Sequence, residues 1–207
     1  MVVFTDNLRF SGVVFLRHFV NLRGRGKMKK NDGFPYDKEY GFDLEGKDIT
    51  VLLVEDSETD AGIVLRLLSE KMPCRCHVLR ARTLGEAEGF LSGCCEIDVA
   101  LLDLGLPDSA SPHESYERLA VFKDFVPIIV LTCLENPKLA MSMLGIGAQD
   151  YVYKNSIIEQ PDVLRHVIEF SIGRHLSLGV TRRAIESDIK EKSDLIKLMM
   201  GSYSAGN

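Results

Sequence analysis

No stretch of this 207-residue chain is apolar for long enough to cross a membrane. The longest early apolar run, Val13 to Val20, is broken by Arg17 and His18, and a spanning helix needs roughly 18 apolar residues or more. The run is also a poor secretory signal, because positive charges follow its apolar residues instead of preceding them. Cysteine is scarce and odd in number: Cys74, Cys76, Cys94, Cys95 and Cys133. With no secretory signature, these are expected to be reduced thiols in a cytoplasmic protein. The Cys74-Arg75-Cys76 and Cys94-Cys95 pairs are too closely spaced for a tetrahedral zinc site, so they read as small buried hydrophobes. The marks of an enzyme with a second substrate are missing too. No nucleophile has an adjacent histidine base, and Gly145 and Gly147 open no dinucleotide fingerprint, since Asp150 stands where the third glycine would be.

Positive charge is lacking over most of the chain. Residues 1–30 hold seven Lys/Arg against one acid, Asp6, a net +6, so the remaining residues carry -11 of the total of -5. A nucleic-acid binder shows a basic patch on its folded part, and here the folded part is acidic, so no nucleic-acid partner is expected. Residues 1–48 read as a basic arm followed by a polar Gly/Pro linker, poorly ordered. The arm is either a functional segment or the product of a mis-assigned start, with Met28 as the true first residue. At 45% hydrophobic and 27% charged, the chain can bury a core.

From residue 49 the pattern becomes regular. Five short apolar strands are expected: Ile49–Val54, Cys76–Leu79, Ile97–Leu102, Val126–Leu131 and Asp150–Tyr153. Helical segments alternate with them. The second helix opens with Thr83 as N-cap and Glu86 three residues on, a capping box. The fourth opens with Asn136 as N-cap and Pro137 at its first position. Tyr116 to Phe122 fits the third, and Pro161 to Leu178 the last. Continuous apolar strands between helices imply a parallel sheet covered on both faces. The fold class is therefore α/β: a doubly wound five-stranded parallel sheet with five helices, its sites at the carboxyl ends of the strands.

Those ends carry the chemistry. Glu55 and Asp56 follow the first strand, Asp103 the third, Thr132 ends the fourth and Lys154 follows the fifth. Three crowded carboxylates repel one another and call for a cation, and oxygen ligands with room for water suit Mg²⁺. A lysine and a hydroxyl nearby suit phosphoryl oxygens, because phosphoryl transfer depends on positioning and charge neutralisation. Each residue alone has a plainer reading. Thr132 would serve as a helix cap, Glu55 or Asp56 as an N-cap, Lys154 as a solvated strand-end charge, and Tyr151 or Tyr153 as core.

The segments VLLVEDS, ALLDLGLPDS, IIVLT and GAQDYVYKN, in this order and spacing, resemble the motifs of response-regulator receiver domains (CheY-like, flavodoxin-like fold) over about residues 49–178. The resemblance implies that Asp103 is the phosphoacceptor. Asp56 and Asp103 would bind Mg²⁺ through their side chains, with Glu55 helping directly or through water and Gly105 through its backbone carbonyl. Thr132 would hydrogen-bond a phosphoryl oxygen. Lys154 would pair with the phosphoryl group or with Asp103, and Tyr151 would be the aromatic switch residue. Implied partners are a histidine kinase or histidine phosphotransfer protein and a downstream protein reached by surface contact.

The sequence departs from the family pattern in three places. Asn155 replaces the proline that commonly follows the lysine. Ser109 to Ser115 is polar and interrupted by Pro112, which obscures the start of the third helix. Gly105 and Leu134 stand two past Asp103 and Thr132, where family members can carry polar side chains that orient a hydrolytic water, so slow self-dephosphorylation is expected. Residues 179–207 form a helical tail. Ile185, Ile189, Ile196 and Met199 fall loosely on a heptad, with Lys192 in one apolar slot. This tail either packs back on the domain or makes a homodimer or partner contact. It is too short for a DNA-binding output domain with its own core. Three functions follow: a Mg²⁺-dependent phosphoacceptor with no separate enzymatic substrate, a phosphorylation-independent adaptor on the same fold, or a receiver fragment of a larger regulator.

Overall fold

In the computed structural model, residues 3–4, 36–37, 41–42, 44–93 and 95–203 are described, and of these residues 3–4, 36–37, 41–42, 183 and 194–203 by their backbone alone. The order expected of residues 1–48 concerns a segment that lies largely outside this set, as does Cys94. The chain divides into two units, Met1–Ile172 and Gly173–Asn207.

The first unit is built on five parallel strands: β1 (Asp48–Val54), β2 (Arg75–Ala81), β3 (Val99–Leu102), β4 (Ile128–Thr132) and β5 (Asp150–Tyr153). Their order in the sheet is β2-β1-β3-β4-β5. A sixth parallel segment, Val3–Phe4, extends the sheet beyond β2, against His77 and Val78, so the expected five-stranded sheet gains a two-residue edge from the basic arm. Tyr36–Asp37 and Gly41–Phe42 pair antiparallel in a separate ribbon.

Apolar residues fill both faces of every central strand, as a parallel sheet between helix layers requires. Leu52, Val54, Ala100, Leu102, Ile128 and Val130 pack in one cluster with Leu84, Ala87, Tyr116, Leu119 and Met143. Their neighbours Val51, Leu53, Leu101, Ile129 and Leu131 are equally buried, and strand alternation turns them to the opposite face. Burying a Leu or Ile side chain contributes about 1.5–3 kcal/mol relative to exposure, so these strand residues hold the sheet between its layers.

Local signals set the helices. The first, α1 (Glu58–Lys71), starts from Ser57, whose hydroxyl accepts from the Asp60 amide at 3.3 Å; Ser57, and neither Glu55 nor Asp56, is the N-cap. In α2 (Leu84–Ser92) the Thr83 hydroxyl accepts from Glu86 N at 3.2 Å, and the Glu86 carboxylate accepts from Arg82 N. Asp108 adds a second cap from outside, accepting from the Leu84 and Gly85 amides. The third helix, α3 (Pro112–Ala120), begins earlier than expected, because Ser111 is its N-cap and Pro112 takes the first position. In α4 (Pro137–Gly145) Asn136 caps Lys138 and Leu139.

Two further helices depart from expectation. A short α5 (Lys154–Glu159) begins directly at Lys154, giving six helices among the described residues in place of five. The last, α6, covers Asp162–Tyr203 and runs through Gly173 and Gly179, which sequence marks as interruptions. In the first unit it buries Leu164, Ile168 and Ile172. The second unit is helical as far as Tyr203. Within it Ile185 and Ile189 are exposed, and the side chains of Ile196 and Met199 lie outside the described set.

Asp98 ties the start of β3 to β1. Its amide donates to the Thr50 carbonyl at 2.9 Å, and its carboxylate accepts from the Thr50 amide at 2.7 Å. Burial pushes this carboxyl above the ordinary aspartate range, against the pull of the Thr50 hydrogen bond. The folded state thus holds the proton more tightly than the unfolded state, so stability falls as pH rises from the ordinary aspartate range through the folded value. Asp98→Asn keeps an acceptor for Thr50 and removes the buried charge. Thermal melts should show this variant melting higher than wild type at neutral pH, with the advantage vanishing in acid.

Candidate functional site

Register brings the polar strand ends together. Val54 is level with Leu102 across β1 and β3, and Leu102 with Val130 across β3 and β4. Glu55 and Asp103, each one step further, therefore emerge side by side. Backbone bonds fix the level: the Asp103 amide donates to the Val54 carbonyl at 3.0 Å and the Glu55 amide to the Ala81 carbonyl at 2.8 Å. Thr132 is level with Tyr153, which puts Lys154 just past the edge. The strand order reverses between β1 and β3, the place where open α/β sheets leave a crevice for a ligand.

Three carboxylates share this crevice. Glu55, Asp56 and Asp103 each bring an oxygen within 4.8 Å of the others; Glu55 and Asp103 are buried and Asp56 is exposed. The set is all oxygen and open on the Asp56 side, which fits a hard divalent cation that keeps some of its waters. Lys154 lies among the acids with its side chain 7% exposed. Its Nζ is 2.7 Å from Glu55 Oε2, 2.7 Å from Asp60 Oδ2 and 3.4 Å from Asp103 Oδ2. Burial works against the ammonium, but the hydrogen bonds to Asp60 and Glu55 and the charge of Asp103 outweigh it and raise its pKa. Burial raises the Glu55 carboxyl as well, only partly offset by Lys154.

The structure brings together most of the residues singled out from sequence. Thr132 is buried at the end of β4, its hydroxyl accepting from the Leu134 amide at 3.3 Å. Gly105 lies beside Asp103: a Cβ there would stand 3.2 Å from Asp103 Oδ2, so glycine leaves the carboxylate room. Tyr151 is half-buried rather than core, donates to the Leu134 carbonyl at 2.9 Å and meets Tyr153 edge-on at 5.6 Å. Asn155 is exposed, and its amide reaches Glu135 at 3.3 Å.

Two participants escaped the sequence reading. Asp60 lies in the first turn of α1, four residues past Asp56, which precedes the Ser57 cap and stands outside the helix. Arg80, near the carboxyl end of β2, holds the acidic loop by its backbone. Its guanidinium donates to the carbonyls of Glu55, Asp56 and Ser57 at 3.2–3.3 Å and pairs with Glu58 at 2.6 Å. Looking for polar residues at strand ends, applied to β2, finds it.

No protein-family model matches the chain. Among curated proteins, the cell cycle response regulators CtrA of Brucella ovis and of Brucella abortus are each 35% identical to it over 105 residues, 50% of this chain and 43% of theirs. The chain thus spans less than half the length of these relatives. Among solved structures, a response regulator receiver domain protein from Clostridium thermocellum superposes with a TM-score of 0.52 at 23% identity, covering 63% of this chain and 98% of that one. The phosphorylated cyanobacterial phytochrome response regulator RcpA gives 0.51 at 22% identity, over 61% and 96%. The fold is that of response-regulator receiver domains, and the sequence similarity over 105 residues points to the same family. Among the described residues no helix is long and apolar enough to cross a membrane.

Arg80 makes three hydrogen bonds to the backbone carbonyls of Glu55, Asp56 and Ser57, and its side chain is 16% exposed. Arg80→Ala should cost about 1–3 kcal/mol, the range for stranding partly buried acceptors. Urea denaturation measures this, and Arg80→Lys should recover only part of the loss, because an ammonium lacks the planar fork.

Proposed function

We propose that this chain is a phosphoacceptor that takes a phosphoryl group on Asp103 from a phosphohistidine of a histidine kinase or phosphotransfer protein. It then signals through protein contacts in the cytoplasm. The observation that carries the reading is Asp103 grouped with the carboxylates of Glu55 and Asp56 and 3.4 Å from the Lys154 ammonium. An Oδ of Asp103 bonds to phosphorus as the P–N bond to the donor imidazole breaks, and the imidazole leaves with the electron pair and takes up a proton. Glu55, Asp56, Asp103 and the Gly105 carbonyl would hold Mg²⁺, which supplies the charge neutralisation that anionic oxygens need when they meet. Lys154 offsets charge on the phosphoryl oxygens, and the Thr132 hydroxyl, which accepts from the Leu134 amide, keeps its own proton to donate to one of them. Tyr151 would follow Thr132, since its hydroxyl already touches the carbonyl of Leu134 in the loop after β4.

Acetyl phosphate with Mg²⁺ tests the reading. Intact mass should rise by one phosphoryl group, and Asp103→Asn should not be labelled. An unlabelled wild-type chain leaves the phosphorylation-independent adaptor. Leu134 is exposed and apolar beside the site, so no side chain there orients an attacking water. Leu134→Glu should shorten the phosphoryl lifetime, and an unchanged lifetime would count against slow self-dephosphorylation as a consequence of that residue.

A further inference from the structure

The Lys154 ammonium has three protons to donate and three acids around it, but it does not share itself evenly. Two contacts, to Glu55 and Asp60, are at 2.7 Å, and the one to Asp103 is at 3.4 Å. Glu55 is closed in, with 1% of its side chain exposed, and Asp60 is 30% exposed. Asp60 comes from α1, one turn in from the Ser57 cap. It is not one of the carboxylates gathered within 4.8 Å for a cation. It therefore acts on the ammonium and not on the cation site.

We propose that Asp60 is a positioning residue that draws the Lys154 ammonium away from Asp103, and so sets how readily the site takes up an anionic phosphoryl donor. The proposal rests on the reading of Asp103 as the phosphoacceptor. An incoming donor brings negative oxygens to the place where Lys154 would meet them. While Asp60 holds one proton of the ammonium at 2.7 Å, the donor must compete for it, and the Asp60 charge repels the donor as well. Uptake from acetyl phosphate forms a bond from an Asp103 oxygen to phosphorus as the P–O bond to acetate breaks, acetate leaving with the electron pair. Asp60 takes no part in that bond exchange. Its effect falls on donor binding and leaves the maximal rate nearly unchanged.

The full chain, saturated with Mg²⁺, is titrated with acetyl phosphate and the rate of mass gain recorded. Asp60→Asn and Asp60→Ser should each lower the half-saturating concentration by about threefold or more, while Asp60→Glu stays near wild type. The gap should narrow as NaCl is raised, because partly exposed charges are screened; a merely structural role would leave it unmoved. Half-saturation that is unchanged or higher in Asp60→Asn and Asp60→Ser, or equally lowered in Asp60→Glu, overturns the proposal while leaving Asp103 as acceptor. No mass gain in wild type overturns the acceptor reading, and the proposal with it.

Discussion

Negative charge in excess, held by one buried ammonium, is the constraint on which this domain's edge is built. Glu55, Asp60 and Asp103 all contact Lys154, and Asp56 stands beside them with no cation of its own among the described ion pairs. Like charges this close raise one another's cost, and burial deepens it. The fold answers in two ways. It supplies Lys154 from the next structural element past β5, and it leaves the Asp56 side open to solvent. A site in this condition gains from a divalent cation and then from groups that only such a cation can make welcome, among them phosphoryl oxygens.

The rest of the sheet serves to hold those charges at one level. The register of β1, β3 and β4 is fixed by buried residues on both faces, because a one-residue slip would turn every side chain to the other layer. Asp98 and Thr50 tie β3 to β1 at its opposite end, and Arg80 ties the acidic loop to β2. The carboxylates are thus carried by strand ends and a pinned loop and not by mobile side chains on a surface.

The strands were legible in sequence because apolar runs such as Ile128–Val130 have no other use in a chain of this length. Glu55, Asp103, Thr132 and Lys154 could be picked out because each stands at the end of such a run. Helix starts were readable where capping chemistry is explicit, at Thr83 and Asn136. They were misread at α3, where Ser111 and Pro112 form a good start that a polar stretch concealed. The length of α6 was hidden by Gly173 and Gly179, whose intrinsic cost of about 1 kcal/mol each is small against the rest of a long helix. Asp60 and Arg80 were missed for a common reason. Each acts through a partner in another element, Lys154 or the 55–57 backbone, and neither spacing nor periodicity records such a contact.

Charge compensation by a cation at Glu55, Asp56 and Asp103 is the central claim, and linkage measures it directly. A cation that binds the folded chain raises its melting temperature with concentration. The melting temperature of the chelator-treated chain should climb as Mg²⁺ is added. NaCl of matched ionic strength should not reproduce the rise, and Asp56→Asn should abolish it. Melts that superpose with and without Mg²⁺, or a rise that survives in Asp56→Asn, would contradict the account.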